Sequence, residues 1–302
     1  MNRSELLRVL SPLVVACCAV HSVNAQVDGV SREKMWPAPT AEDWKKPVRI
    51  QWQRTWDDAI AVARETGKPI LVCVNMDGEI ASEHYAGIRY RDPEIARLYE
   101  PYVNVIASVY RHNPRDYDDA GRRIPCPRFG CVTCGEHIAI EPILYERFFD
   151  GKRIAPRHVM VELDENGGEQ FAETYDVYYA FDTQSVFDTI QRGIAERARK
   201  PNPERRTDRS LAERVRSRDS QDQTAVESAY AAGDKDAKRA LLQAAIDAGD
   251  DASVDLLRLA VFDLDVDLAA MARDGLAKTG RVEAADVINE ALRVPLADEE
   301  RD

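Results

Sequence analysis

The sequence has few cysteines, few aromatic residues and no excess of basic charge. Six cysteines and 7% aromatic residues among 302 are far from the composition of a small disulfide-stapled scaffold. Lysine and arginine number 41 and acidic residues 53, which gives a net charge of −12. A nucleic-acid binder needs a basic face to displace counterions from phosphates, so this charge argues against that class. Beyond the N-terminal region no apolar run reaches the roughly 20 residues of a membrane span, so we expect no transmembrane span.

The first 25 residues have the pattern of a signal peptide. Arg3 and Arg8 precede an apolar run that ends at Val20 and is too short to span a bilayer stably. The run leads to Val23-Asn24-Ala25, and small residues at this spacing suit signal peptidase, so we expect cleavage after Ala25. Residues 1–25 are therefore predicted to direct export of the mature protein.

A lipid anchor is the alternative interpretation of the same segment. Val14-Val15-Ala16-Cys17 resembles a bacterial lipobox, in which Cys17 becomes the lipidated mature N-terminus. Both routes predict a secreted, periplasmic or cell-envelope protein of a bacterium. Disulfides persist in that compartment, so the cysteines that remain after processing can form them.

Alternating helices and strands between residues 49 and 199 predict an α/β domain, with a polar, proline-punctuated lead-in at 26–48. Short β-branched runs indicate strands, and capping residues followed by spaced apolar residues indicate helices. The expected strands are Ile70–Val74, Tyr102–Val109, His158–Leu163 and Phe171–Val177. The expected helices are one capped by Thr55 and ended by Gly67, one from Asp92 to Tyr99, and those at Ile138–Phe149 and Ser185–Arg199.

The C-terminal part is rich in alanine and leucine and predicts an all-α module at residues 225–295. Residues 200–224 have no apolar stripe, which indicates a linker or an exposed helix. Glycines and a proline separate helices expected at 225–232, 234–248, 252–262, 264–279 and 281–293. Helix pairs of this kind resemble HEAT or tetratricopeptide repeats, which bind protein partners. A small helical bundle without a partner is an equal alternative.

The order of local motifs from Trp52 to Arg199 resembles the exported thioredoxin-like family. The motifs are, in chain order, Trp56-Asp57-Asp58-Ala59-Ile60, Gly67-Lys68-Pro69, the strand Ile70–Val74, Asp92-Pro93-Glu94-Ile95-Ala96 and Ala155-Pro156. The resemblance implies a thioredoxin-like central sheet flanked by helices. It also implies that Pro156 is the family's cis-proline, just before a central strand.

The redox motif of that family is missing from this chain. The family's Cys-x-x-Cys should begin the second helix, where this chain has Glu79-Ile80-Ala81-Ser82. Thioredoxin-type exchange needs an activated thiolate and a second cysteine that resolves the mixed disulfide. Glu79 and Ser82 supply neither, so we expect no redox chemistry at these degenerate positions. Cys73 lies within a predicted strand and is interpreted as a small buried apolar residue.

Three cysteines and a histidine crowd into an apparent insertion at residues 111–137, after the second strand. Cys126, Cys131, Cys134 and His137 have the spacing C-x4-C-x2-C-x2-H. Cys-x2-Cys lets one tight turn aim two sulfurs at an ion, and three thiolates with one imidazole form a common structural zinc site. We therefore predict that these four residues bind a structural metal ion, with zinc as the cofactor.

Cys131-Val132-Thr133-Cys134 is also a displaced Cys-x-x-Cys, so a disulfide is the competing hypothesis. In a thiol–disulfide oxidoreductase of this kind, Cys131 attacks, Cys134 resolves, and Cys126 remains an odd thiol. An iron–sulfur cluster is compatible only if histidine replaces one cysteine. A c-type haem is excluded because Gly135, not histidine, follows Cys134. His112 is a further candidate ligand, at a distance that the sequence does not give.

The predicted function is that of an exported scaffold or binding protein without redox chemistry, stabilised by a Cys3His zinc site. The helical module is the candidate surface for a protein partner. Whether the protein is an enzyme stays open. The alternatives are the oxidoreductase that uses Cys131 and Cys134 and, on residue types alone, a hydrolase that uses Glu79, Ser82 and His158.

Overall fold

The structure is a computed structural model of a mixed α/β protein. It describes residues 31–149, 151–152, 155–164, 166, 168–175, 186–188, 191 and 208–292. The predicted signal peptide, Cys17 and most of the helix expected at Ser185–Arg199 lie outside the described residues. Among the described helices, none is both long enough and apolar enough to cross a bilayer.

The described residues include a four-stranded sheet. Its strands are β1 (Ile70–Val74), β2 (Val103–Ala107), β3 (Arg157–Leu163) and β4 (Glu169–Tyr175). The order across the sheet is β2-β1-β3-β4. Strand β1 is parallel to β2 and antiparallel to β3, and β3 is antiparallel to β4. The four predicted strands are confirmed, but β2 is shorter than the expected Tyr102–Val109 and β4 begins before the expected start at Phe171. Residues 176–177, at the expected end of the fourth strand, lie outside the described residues.

Apolar side chains cover both faces of β1, which explains its uninterrupted hydrophobic sequence. Leu71 and Cys73 belong to one buried cluster, and Ile70 and Val72 belong to the cluster on the other face. Cys73 is fully buried, and burial raises the pKa of its thiol. Its interpretation as a core residue is therefore confirmed.

In the described part of the chain six helices accompany the sheet, and a side chain caps the N-terminus of each one except the first. They are α1 (Arg32–Met35), α2 (Ala41–Lys45), α3 (Trp56–Thr66), α4 (Ile80–Gly87), α5 (Pro93–Arg97) and α6 (Cys134–Phe148). Thr55 accepts a hydrogen bond from the Asp58 amide at the start of α3, and Gly67 ends that helix with φ 70°. Asp92 caps α5. The Ala155–Pro156 bond is cis, at the position that the family resemblance indicates.

Helix α6 begins earlier than the sequence predicts, at Cys134 instead of Ile138. The Thr133 hydroxyl accepts a hydrogen bond from the Glu136 amide, and the Glu136 carboxylate accepts one from the Thr133 amide. This capping box starts the helix at Cys134. Cys134 and His137 therefore stand three positions apart on one helix and share a face.

Helices also make up most of the described C-terminal residues. They are α7 (Leu211–Arg214), α8 (Ser220–Ala232), α9 (Lys235–Ala248), α10 (Val254–Val261), α11 (Val266–Lys278) and α12 (Val282–Ala291). They bury a cluster of their own that includes Leu242, Leu256 and Leu257. Helix α8 begins inside the expected linker 200–224 because Asp219 caps it. In the same way, α1 and α2 occupy part of the expected lead-in at 26–48.

Polar contacts connect these helices to the segment that precedes α3. The Gln53 side chain accepts a hydrogen bond from the Ser220 amide at 3.0 Å. Arg54 donates to Thr224 at 2.9 Å and to Asp255 at 2.8 Å, and its side chain is only 3% exposed. The C-terminal helices are thus anchored through buried charged and polar groups.

Candidate metal centre

Residues 108–133, which we call the metal loop, connect β2 to α6 and carry the first candidate ligands. An isolated antiparallel bridge joins Tyr117 to Arg123, and Gly121 turns the chain between them with φ 70°. The Asp118 side chain accepts hydrogen bonds from two amides of this turn, each at 2.9 Å. Outside the turn the loop has little regular structure, so its conformation depends on side-chain contacts.

Four side chains of the metal loop and α6 meet at one point: His112, Cys126, Cys134 and His137. Their ligand atoms all lie within 4.8 Å of one another. Cys126, Cys134 and His137 are buried, and His112 is partly exposed. A tetrahedral zinc ion with bonds of about 2.0–2.3 Å separates its ligand atoms by about 3.3–3.8 Å, so a contraction of about 1 Å closes the set around an ion.

His112 directs one ring nitrogen at the cysteines and the other at a carboxylate. Its Nδ1 lies 3.3 Å from Cys126 Sγ and 4.0 Å from Cys134 Sγ. Its Nε2 lies 2.8 Å from Asp77 Oδ2. Burial raises the pKa of Asp77, but the bond to His112 and the charge of Arg128 outweigh it and hold the pKa below its ordinary value. A carboxylate behind a ligating histidine fixes the tautomer and raises the basicity of the ring.

A backbone carbonyl fixes the orientation and tautomer of His137. Its Nδ1 lies 3.0 Å from the Ser108 carbonyl oxygen, which can only accept, so Nδ1 carries the proton. The other nitrogen, Nε2, is buried and has no hydrogen-bond partner among the described residues. Burial lowers the pKa of His137 to about 4, so the ring is neutral at pH 7. The lone pair of this buried nitrogen is therefore available to a metal ion.

Backbone amides surround both cysteine sulfurs. Cys134 Sγ accepts from the amides of His112 at 3.2 Å and Asn113 at 3.3 Å. Burial raises the pKa of Cys126 to about 12, against hydrogen bonds from the Arg128 and Phe129 amides that lower it. Such amides stabilise thiolates, and a divalent cation supplies the remaining stabilisation that deprotonation needs.

Phe129 closes the site from one side. Its ring centroid lies 5.6 Å from that of His112 and 4.9 Å from that of His137, and the residue is fully buried. Four protein ligands and an aromatic cover leave no open coordination position of the kind that a catalytic ion keeps for water or substrate. The arrangement can hold a four-coordinate ion and is suited to a structural one.

The backbone next to Cys126 is held by two arginines. Arg91 donates to the Pro127 carbonyl at 2.9 Å and to the Trp44 carbonyl at 3.1 Å. Arg128 pairs with Glu83 at 2.6 Å and lies over the Trp44 ring. These contacts connect the metal loop to α2 and to α4.

The cluster differs from the predicted set in one ligand, because His112 stands where Cys131 was expected. The Trp52 amide donates to Cys131 Sγ at 3.3 Å, and that sulfur also faces the Trp52 carbonyl at 3.8 Å. Cys131 therefore contacts the strand-like segment before α3 and lies outside the metal centre. The spacing C-x2-C allows Cys131 to point either to the metal centre or to Trp52, and the folded loop decides between these two orientations. The sequence carried no signal for Asp77.

The competing Cys131–Cys134 hypothesis requires two sulfurs that face each other. Instead, Cys131 contacts Trp52, and Cys134 contacts the amides of His112 and Asn113. All four cysteines in the described residues are free thiols. Burial raises the pKa of Cys131, which disfavours the thiolate that a nucleophile needs.

The three residues of the alternative hydrolase hypothesis have structural contacts. Glu79 caps α4 by accepting from the Ser82 amide at 2.8 Å, and the Ser82 hydroxyl accepts from the Met76 amide at 3.1 Å. His158 forms a buried hydrogen bond with the Tyr99 hydroxyl at 3.0 Å. Burial lowers the pKa of His158 to about 3, so it is a poor general base at neutral pH.

The candidate metal centre is assigned from the geometry of its side chains. Its ligands, their hydrogen-bond partners and their burial all come from the described part of this chain. Comparison with protein-family models, with curated proteins and with solved structures finds no match to this chain.

Proposed function

We propose that this chain is an exported, thioredoxin-like binding protein without redox chemistry, whose metal loop is stabilised by a structural zinc ion. The ligands are His112, Cys126, Cys134 and His137. The observation that carries the proposal is the buried convergence of these four side chains within 4.8 Å. Each imidazole has its second nitrogen engaged elsewhere, which leaves one lone pair for an ion.

Zinc is favoured by the chemistry of the ligand set. Two thiolates and two imidazoles suit a borderline-soft ion that accepts tetrahedral coordination. Calcium and magnesium prefer oxygen ligands, and this set has none. The closed geometry supports a role in stability, since a catalytic zinc ion keeps an exchangeable position.

An ion at this centre offsets the entropy that the metal loop loses on ordering. Fixing a residue costs about 1–2 kcal/mol of conformational entropy, and the few buried apolar side chains of the loop, such as Phe129 and Val132, recover only part of it. Structural zinc sites contribute about 10–16 kcal/mol of apparent binding free energy in small peptides. An ion of that affinity offsets part of the entropy cost of ordering the segment that joins β2 to α6.

A thioredoxin-like fold is supported by the strand order, by the cis bond before Pro156 and by the helix that follows β1. Glu79 and Ser82 occupy the start of that helix, where a redox pair would stand. Export, through either signal peptidase or a lipid anchor at Cys17, is part of the same proposal.

We also propose that the C-terminal helices bind a protein partner as a helical-repeat module. Support comes from apolar side chains that these helices leave in solvent, such as Leu264 at 100% and Val282 at 82% exposed.

The metal content of variants tests the proposal. The zinc content of protein purified without added metal is measured by inductively coupled plasma mass spectrometry, with Cys131→Ser as the matched control. We expect wild type and Cys131→Ser to carry about one zinc ion, and His112→Ala and Cys134→Ser to lose most of it.

Each other outcome overturns a part of the proposal. Retention of zinc by His112→Ala together with its loss from Cys131→Ser would restore the Cys3His set. A metal-free wild type with a reversible Cys131–Cys134 disulfide would establish the oxidoreductase instead.

A further inference from the structure

The metal loop has a second face, which contacts the C-terminal helices. The hairpin-like turn between His112 and Cys126 carries Tyr117, whose hydroxyl donates to Asp255 Oδ1 at 2.7 Å. The Arg258 guanidinium lies over the Tyr117 ring at 3.8 Å. Both contacted residues belong to α10, so the turn seats one helix of the C-terminal group.

Gly121 brings the backbone of this turn directly against the end of α10. A Cβ atom at Gly121 would lie 2.7 Å from the Phe262 side chain and 2.9 Å from the Arg258 carbonyl oxygen. Separations under about 3 Å are not tolerated without displacement of one partner. The loop and the helix therefore fit each other closely only in the observed loop conformation.

Buried charges strengthen this contact. Arg123 lies 3.4 Å from Asp255 and pairs with Glu136, and these side chains are 10%, 15% and 12% exposed. Arg54 also pairs with Asp255 at 2.8 Å. Removal of one partner from a buried ion pair is costly because the other charge stays desolvated. Loss of the loop conformation would deprive Asp255 of both Tyr117 and Arg123.

The residues that make this contact are interleaved with the metal ligands. Tyr117 and Arg123 lie between His112 and Cys126, and Glu136 lies between Cys134 and His137. The Gly135 amide also donates to Asp116 Oδ1 at 2.8 Å, next to Tyr117. An ion that fixes the ligands consequently fixes the surface on which α10 rests.

A second attachment of the C-terminal helices does not pass through the metal loop. Ser220 at the start of α8 donates its amide to Gln53 at 3.0 Å and accepts from Gln51 at 2.9 Å. Arg218, just before α8, pairs with Asp58 of α3. None of the residues in these contacts belongs to the metal loop, so we expect the contacts to persist when the loop changes.

We propose that metal occupancy governs the docking of α10 on the metal loop, so that loss of the ion opens the contact between the loop and α10 while α8 stays attached. This inference rests on the proposed zinc site and concerns its regulation of the surface between the two parts. A metal-sensitive contact between the metal loop and α10, which we call the joint, changes which face of the helical module is open to a partner.

Radical footprinting with mass spectrometry tests the proposal on the full chain, with zinc bound and after removal of zinc by a chelator. Hydroxyl radicals report the solvent exposure of individual side chains. We expect oxidation of Phe262 to rise severalfold when zinc leaves. Tyr230 of α8 and Tyr99 of the α/β core, each 1% exposed, should stay protected. Metal content is measured on the same samples.

Gly121→Ala separates the joint from the ion, because the added methyl group lies at the contact with α10 and not at a ligand. We expect this variant to keep its zinc while Phe262 is oxidised at the high level with or without chelator. Gly151→Ala is the matched control, since Gly151 also has a positive φ, 72°, but has open space around its Cβ position.

Three results would overturn the inference in distinguishable ways. Unchanged Phe262 oxidation after zinc has left would mean that docking is independent of the ion. A rise at Tyr99 and Tyr230 as well would mean that the ion holds the whole chain and not one joint. Absence of zinc from the purified protein would overturn the proposed function itself, which metal analysis alone reveals.

Discussion

Replacement of Asp77 perturbs the metal centre without removal of a ligand. Asp77 Oδ2 accepts from His112 Nε2 at 2.8 Å and holds that ring with Nδ1 toward the cysteines. Loss of such a carboxylate typically weakens metal binding by about 10–100-fold. We expect Asp77→Ala to lie near the upper end of this range. Asp77→Asn should lie near the lower end, because an amide oxygen still accepts the bond but carries no charge.

The corresponding free energies follow from the fold-changes. A 10–100-fold loss of affinity equals about 1.4–2.7 kcal/mol. At a fixed free zinc concentration well above both dissociation constants, linkage lowers the free energy of unfolding by the same amount. The two quantities are measured independently, and they agree if the ion binds only the folded chain and the metal-free stability is unchanged by the substitution.

Competition with a chromophoric zinc chelator measures the affinity, and urea denaturation at buffered free zinc measures the stability. Glu83→Gln is the control, because Glu83 pairs with the same Arg128 as Asp77 but touches no ligand. We expect the control to match wild type. An affinity of Asp77→Ala within about twofold of wild type would refute the assigned role of Asp77 behind His112.

Three further predictions concern the helix cap, a buried histidine and the helical core. Thr133→Ala removes the capping box of α6 and should lower the free energy of unfolding by about 0.5–2 kcal/mol. It should also weaken zinc binding, because Cys134 and His137 share the first turn of that helix. Calorimetry measures the stability and zinc titration the affinity, and wild-type values for both would contradict the prediction. His158 has a folded pKa of about 3. Its unfolded pKa is about 6.5, so its contribution is fully present above pH 6.5 and declines as the pH falls toward 3. Between pH 7 and 5 wild type should lose about 2 kcal/mol more than His158→Gln in urea denaturation, and parallel pH profiles would show that His158 does not titrate on unfolding. Leu257→Ala should destabilise the helical group by about 2–5 kcal/mol, since Leu257 is fully buried, and a change below about 1 kcal/mol in thermal unfolding would show that the site collapses around the smaller residue.

Local elements were predictable because their causes are local. Thr55, Gly67 and Asp92 cap or end helices through bonds to residues a few positions away. The runs that became β1 and β3 are apolar because both faces are covered, and that pattern is visible in the sequence. The start of α6 was missed although its signal, Thr133 followed by Glu136, was present: the cysteine spacing favoured a loop there.

The sequence by itself determined that three cysteines and a histidine would crowd into one segment, and it limited the chemistry to a soft metal ion or a disulfide. Only the tertiary structure decided which donors converge. The partners of Cys131 and His112, namely Trp52 and Asp77, lie far from them along the chain. Side-chain direction in a loop depends on such distant contacts, whereas spacing along the chain limits only how closely the donors can approach.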